Sequence, residues 1–382
     1  LSKHDISMKK LIFRKFLLDV TIFFTISTIS LTLIVWVIQA VNYLDFVSED
    51  GHSFRVYFLF TLLSVPKIFS KLIIFLFFIS IFFIIVKYEE NNEILIFWTH
   101  GVKKIQLINV VFIFSFVILI IQVFLNLFIV PKTQDLARSY IRSSNIDYFP
   151  ALIKPKQFND TVEDLTIFID KRKKNGEFQK IFLKDKFSAG GNSQIISSKK
   201  GNILYKNGNH FLVLYDGKII NIDKKNITTF KFSKTEFNLS KFSTKTTTFP
   251  KIQELNSLRL LKCLVSVYKN KKFYATPTFS CDINSINPVS QELYKRTLNS
   301  IYILIVSLIA CGLIIKSKDD FNYEKYKLIV FCIGIFAIIL SELATQYIKY
   351  DSFVSILLIG LPFVLSISIY SYLNFKSNFK SS

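Results

Sequence analysis

The apolar residues of this chain are not dispersed at the period of a helix or a strand; they are gathered into long uncharged blocks. Residues 20–44 run for 25 positions without a charge, 105–130 for 26, 297–315 for 19 and 352–375 for 24. About 18 or more consecutive apolar residues is the length of a membrane-spanning helix. Two further blocks carry isolated charges: about 57–86 contains Lys67 and Lys71, and about 327–348 contains Glu342. Six spans follow, at about 16–42, 57–86, 105–130, 297–315, 327–348 and 352–375, with three on each side of a polar block from Pro131 to about Gln291.

Inside that block the period changes. Residues 165–169 and 178–183 are short apolar runs separated by Lys174-Asn175-Gly176. Residues 202–206 and 210–215 flank Asn207-Gly208, a strong hairpin-turn signal. Asp216-Gly217 reads as a further turn into 218–222, Gly190-Gly191 as another turn, and 227–232 alternates again. Short strands at this spacing predict an all-β sandwich or jelly roll, or a generic β-domain that serves stability alone. Residues at about 252–272 suit a helix before the chain returns to the membrane. The fold class is therefore a polytopic α-helical membrane protein, six transmembrane helices in a three-plus-three arrangement, with an inserted all-β domain. The boundaries are 1–131 for the first membrane half, 132–291 for the β-domain with flanking helices, and 292–382 for the second half.

Composition excludes other classes. The chain has 382 residues, 51% of them hydrophobic, so it is not disordered. Its net charge of +21 does not by itself imply nucleic acid, because much of it lies between the apolar blocks, where Lys and Arg set topology. Lys9, Lys10, Arg14 and Lys15 precede the first span; Lys87, Lys103 and Lys104 lie between the second and third; Lys316, Lys318, Lys325 and Lys327 between the fourth and fifth; Lys376 and Lys380 in the tail. The first loop instead has Asp45, Glu49 and Asp50 against Arg55, and the last loop only Lys349 and Asp351. Both termini are then expected in the cytoplasm and the central block outside, which in a Gram-negative cell is the periplasm. The first apolar block is too long for a signal core, so no cleaved signal peptide is expected, and Met8-Lys9-Lys10-Leu11 reads as a natural start after an upstream extension at 1–7. Of the four Cys, Cys263 and Cys281 fall outside apolar blocks and can pair if their region is extracytoplasmic; spacing alone does not decide it.

The sequence has no GxxxxGK[ST], no HExxH and no GxSxG, and His4, His52, His100 and His210 are scattered. No catalytic residue, metal ligand or cofactor site is expected. The richest segment is the loop after the second span, from Lys87 to Lys104. Read as a helix over about 89–101, it places Glu90, Ile94, Phe97 and Gly101 at i, i+4, i+7 and i+11, with Glu93 and Trp98 alongside and Gly101 where a C-terminal cap belongs. Two readings fit: an acidic, aromatic knob for a basic groove on a partner, or an interfacial helix with its aromatics among headgroups.

An acidic residue, seven intervening positions and then a Gly, directly after the second span, resembles the coupling helix of the LptF/LptG (YjgP/YjgQ) lipopolysaccharide export permease family; here the pair is Glu93 and Gly101. Val130-Pro131-Lys132 at the end of the third span, with Leu136, Ala137 and Tyr140 after it, also resembles that family. So do Ile153-Lys-Pro155-Lys-Gln-Phe158 at the start of the β-domain, Glu292-Leu-Tyr-Lys295-Arg296 at the fourth span and Leu361-Pro362 in the last. Ile153 replaces Leu, Lys156 stands where the family usually has Gly, and Gly360 stands where it often has Trp. The start of the β-domain and a short first loop favour the F type over the G type.

The resemblance implies a bacterial inner-membrane permease subunit of an ABC-type exporter that extracts lipopolysaccharide from the outer leaflet. It implies a periplasmic jelly roll, a paralogous F or G subunit, a cytoplasmic LptB-like ATPase dimer that uses the ATP and Mg, and LptC/LptA-like jelly-roll bridge proteins. Glu90, Glu93, Ile94, Phe97, Trp98 and Gly101 would form the ATPase-coupling helix. Lys67 and Lys71, four apart, share a helix face, and 15 uncharged residues, roughly 22 Å of helix, separate Lys71 from Lys87. They fit contact with lipid phosphates or snorkelling to the interface. Glu342 can pair with Gln346, Lys349 or a neighbouring helix. The alternative to transport is a membrane-anchored periplasmic scaffold or receptor; a lipid-modifying enzyme would need more convergent polar groups in the membrane.

Overall fold

The structure, a computed structural model, describes residues 3–44, 53–144, 155–162, 165–173, 176–189, 192–206, 209–222, 227–239, 251–268, 274–276, 279–281, 283–349 and 353–379. Asn207-Gly208, Gly190-Gly191, Lys174-Asn175, Ile153 and the acidic residues of the first loop lie outside them. The described helices are α1 (Lys3–Asn42), α2 (Phe54–Leu63), α3 (Val65–Glu90), α4 (Glu93–Thr99), α5 (Lys104–Phe124), α6 (Val130–Ser144), α7 (Ser257–Tyr268), α8 (Ile283–Arg296), α9 (Tyr302–Cys311), α10 (Tyr323–Tyr347) and α11 (Phe353–Phe379). A π-helical turn, Leu125–Ile129, joins α5 to α6 without interrupting the span. Among the described residues, six helical segments are long and apolar enough to cross a membrane: Met8–Asn42, Phe54–Glu90, Lys104–Ile141, Ser285–Ile315, Tyr323–Tyr347 and Phe353–Ser377. They coincide with the six apolar blocks. The second is broken at Ser64, where Pro66 near the start of α3 cannot donate a backbone N–H.

The chain divides into two compact units. The first comprises 1–37, 64–135 and 251–382. Its core is built on α9, where Tyr302, Ile303, Ile305, Val306, Leu308 and Cys311 are all at most 1% exposed. Phe77, Phe78 and Ile81 of α3, Leu107 and Ile108 of α5 and Val330 of α10 join the same core. Next to it, α7 and α8 enclose a smaller core of Leu255, Leu260, Cys263, Cys281, Val289 and Leu293. Cys263 and Cys281 form a disulfide, with their Cα atoms 5.6 Å apart.

The second unit comprises 38–63 and 136–250. Phe60, Ala137 and Ile141 pack together against Tyr43, Val56 and Leu63, and the Tyr57 hydroxyl donates to the Ala40 carbonyl at 2.8 Å. Its sheet has six antiparallel strands in sequence order: β1 (Phe158–Val162), β2 (Leu165–Arg172), β3 (Phe178–Ala189), β4 (Asn192–Lys206), β5 (Asn209–Ile222) and β6 (Ile227–Asn238). Each strand pairs with its sequence neighbour and the sheet does not close on itself, so the inserted all-β domain is an open meander. The expected turn at Asp216-Gly217 is absent: both residues lie within the single strand β5. Asp216 takes a left-handed φ of 51° while the pairing register continues unchanged on both sides, Tyr215 to Lys200 and Gly217 to Ser198. The kink switches the inward positions from Leu212 and Leu214 to Ile219, so one long strand serves a continuous core. Gly217 is needed there because a Cβ would strike the Ser197 carbonyl and the Phe232 ring.

The disulfide gives a direct check. Of the four cysteines, Cys311 and Cys332 are free. Alkylation of the denatured, unreduced protein should modify these two only, and prior reduction should expose all four. Four modified cysteines without reduction would contradict the bond.

Candidate functional site

The segment after α3 is built from two interruptions. Asn92 adopts a left-handed φ of 61°, which ends α3 and turns the chain into α4. Asparagine tolerates that region better than most residues. At the other end, the Gly101 N–H bonds the Trp98 carbonyl at 3.0 Å and the Val102 N–H bonds the Phe97 carbonyl at 2.9 Å. With Gly101 at φ 68°, this is a Schellman cap, and buried Val102 and Phe97 supply its usual hydrophobic contact. The Lys9 ammonium donates to the Gly101 carbonyl at 2.9 Å.

The helix is therefore shorter than the sequence predicts. It starts at Glu93, and Glu90 is the last residue of α3. Ile94 and Phe97 face inward, 4% and 2% exposed. The Phe97 ring lies 6.2 Å from each of Phe13, Phe16 and Tyr88, and the Tyr88 hydroxyl donates to Asp19 at 2.6 Å. These two predicted contact residues are anchors. The face presented outward is Leu95 and Ile96, 57% and 48% exposed, with half-buried Glu93 at the helix start, where the N-terminal dipole favours a carboxylate. The sequence does not mark Leu95 and Ile96, because the i, i+4, i+7 pattern selects the buried side and the exposed side is its complement. Trp98 is half-buried, with the Lys104 ammonium 5.8 Å from its ring.

Neighbouring charges tie this end to the second half of the chain. Buried Glu89 accepts the Lys318 backbone N–H at 2.8 Å, and exposed Glu90 lies 3.5 Å from Lys327. Lys104 also donates to the Ile315 carbonyl at the end of the fourth span, at 3.0 Å. The role of Glu89 is not legible in the sequence, where it is one more acid in an acidic run.

Lys67 and Lys71 sit in the first two turns of α3. From Lys71 to Glu90 is roughly 28 Å of helix, so the two predicted groups lie at opposite ends of one span and form separate sites. Lys67 donates to Gln134 at 3.5 Å and Gln253 at 3.3 Å, whereas Lys71 is exposed. Lys295, Glu292 and Glu254 lie within electrostatic reach of Lys67. Glu342 pairs with Lys295 of the neighbouring α8 at 3.6 Å. Arg296 is 3% exposed and donates to Glu292, to Ser257 and to the Leu255 and Gln253 carbonyls.

The family model for the lipopolysaccharide export system permease LptF/LptG matches residues 12–374. The chain belongs to the LptF/LptG family. It is also similar to the uncharacterized protein RP871 of Rickettsia prowazekii (strain Madrid E), 24% identical over 198 residues. That match covers 52% of this chain and 55% of the relative, so the chain spans about half the length of the curated relative it matches. The six apolar helices and the permease family make this a multi-pass inner-membrane protein. Lys156 at the start of the β-domain adopts φ 65°. That is the left-handed region in which a glycine would carry no steric cost.

The division of α4 into anchors and a presented face is testable by thermal unfolding in detergent. Phe97→Ala should lower stability by about 3–5 kcal/mol, as large-to-small changes in a packed core do. Leu95→Ser should stay within about 0.5 kcal/mol of the parent, as exposed positions do. Equal losses for both would refute the assignment of faces.

Proposed function

We propose that this chain is the permease subunit of an ABC-type exporter that extracts lipopolysaccharide from the outer leaflet of the inner membrane. A separate cytoplasmic ATPase drives it, and a periplasmic bridge of β-domains receives the lipid. The observation that carries this reading is the family match over 12–374 together with the construction of α4. A docking helix must be exposed on one face and immobile on the other, so that a push on it is not lost in local bending. Glu93, Leu95 and Ile96 supply the first requirement; Phe97, its aromatic neighbours and the Gly101 cap supply the second. The ATPase would offer a cation to Glu93 and an apolar surface to Leu95 and Ile96. Biasing a two-state packing of the spans would then close the lipid-holding space.

Orientation has two supports. Loop charges favour cytoplasmic termini. The Cys263–Cys281 disulfide favours an oxidising compartment for the α7–α8 region. Lys67, bonded to Gln253 beside α7, belongs to that same end, and α4 to the other. A lipid phosphate at the outer-leaflet level would meet exposed Lys71 first, with Lys67 held behind it by two amides. ATP and Mg belong to the partner in this scheme, and the paralogous permease subunit completes the enclosure.

The test uses a strain depleted of the native protein. Glu93→Lys and Leu95→Glu should reach the membrane at parental levels yet lose lipopolysaccharide export by tenfold or more, since losing an interfacial charge contact costs about 2–5 kcal/mol. Glu90→Lys should be milder, because an exposed ion pair such as Glu90–Lys327 contributes at most about 1 kcal/mol. Parental export from both Glu93→Lys and Leu95→Glu would remove α4 from the mechanism.

A further inference from the structure

Helix α7 has two apolar faces and the protein uses only one. At about 100° per residue, Leu260, Cys263, Leu264 and Val267 cluster on the side turned toward α8. Leu260 and Cys263 are fully buried there. On the opposite side Leu258, Leu261 and Val265 fall within about 60° of one another. They are 61%, 48% and 47% exposed. Arg259 and Lys262, both exposed, flank this stripe on one side.

The position of α7 along the membrane normal is fixed by its anchors. The Ser257 hydroxyl at its first residue donates to the Leu127 carbonyl in the third span at 2.7 Å. Leu127 lies 23 residues beyond Lys104, the start of that span, or roughly 34 Å of helix against a hydrocarbon core of about 30 Å. The anchor is therefore at the membrane boundary. Buried Arg296 holds the same point from the fourth span, donating to Ser257 at 2.9 Å and to the Leu255 carbonyl at 2.8 Å. The disulfide from Cys263 to Cys281 fastens the middle of the helix. Near the anchor on the third span, Phe124 and Phe128 are both 54% exposed, as lipid-facing residues of a span are.

We propose that α7 is an interfacial helix, held at the outer boundary of the bilayer with Leu258, Leu261 and Val265 in the acyl region and Arg259 and Lys262 at the phospholipid phosphates. The occupant of the exposed face is phospholipid. An apolar stripe at the level of the headgroups, bordered by long cationic side chains that can reach the phosphates, matches that environment and not bulk water. A helix tied down in three places does not swing away from the leaflet. Its role is to fix the level at which the chain leaves the membrane between the β-domain and the fourth span. This proposal rests on the six helices spanning a membrane and is independent of the export role.

The test is nitroxide accessibility in the full chain, with Cys311→Ala and Cys332→Ala and the native disulfide kept. The protein is placed in nanodiscs of phosphatidylethanolamine and phosphatidylglycerol. Labels are introduced singly through Leu258→Cys, Leu261→Cys and Val265→Cys, with Arg259→Cys as the flank. The ratio of oxygen accessibility to that of a water-soluble nickel chelate should exceed unity at the three stripe positions and fall several-fold at Arg259→Cys. Chelate accessibility dominating along the stripe would place the helix in water and overturn the proposal. So would immobilised labels that neither reagent reaches, which would mean that a protein partner covers the face. The three independent sites guard against one variant that disturbs the fold.

Discussion

The membrane unit is arranged around one almost fully enclosed helix, α9. Of the most apolar window of the fourth span, 89% is buried, against 17% for the first and sixth spans. In a bilayer the gain from excluding water is absent between helices, so a helix is kept inside others by close packing and by polar contacts. Here α3, α5, α10 and α11 all touch α9. The ends of the same rod carry the polar contacts: Arg296 at the start of the span collects the chain at Gln253, Leu255 and Ser257, and Ile315 at the other end accepts from Lys104. A displacement of the fourth span is thus felt at both boundaries of the membrane.

The same geometry bears on the role proposed for α4. Seven residues make too short a helix to be stable alone. Its conformation is imposed by Phe97 among Phe13, Phe16 and Tyr88, by the Gly101 cap and by the Lys9 contact. These partners belong to α1 and α3, while Glu89 and Lys104 extend the connection to the loop and helix around α9. Pressure on the outward face of α4 therefore reaches three spans through packed groups. Lys67 and Lys71 at the far end of α3 share that helix, so under the proposed function both ends of the second span are in use.

Much of this was legible in the sequence, for reasons of length and period. Uncharged blocks as long as a bilayer is thick allow one reading, and the six spans lie where those blocks are. The short apolar runs 165–169 and 178–183 and the alternation over 227–232 lie within β2, β3 and β6, and Gly101 is marked by its place after a helical pattern. The failures have physical causes. Asp216-Gly217 has turn composition, but the long strands on both sides keep their register through the kink, so pairing overrides the local signal. Asn92 breaks the expected helix by taking the left-handed conformation, which asparagine tolerates better than most residues. Periodicity marked one face of α4 and assigned it to the partner, when burial inside the protein was the stronger demand on Phe97. The contacts of Glu89 and Arg296 join segments 229 and 41 residues apart, a separation no local pattern encodes.

In the proposed function the outward face of α4 receives the ATPase while its inner face only holds it in place. Site-specific photo-crosslinking in the assembled complex addresses this directly. A benzophenone amino acid at Ile96 should form an adduct with the ATPase subunit, and the same probe at Phe97, buried on the inner face of α4, should form none. Absence of an Ile96 adduct, with the ATPase captured instead by a probe at Phe321, fully exposed in the loop between the fourth and fifth spans, would contradict that role.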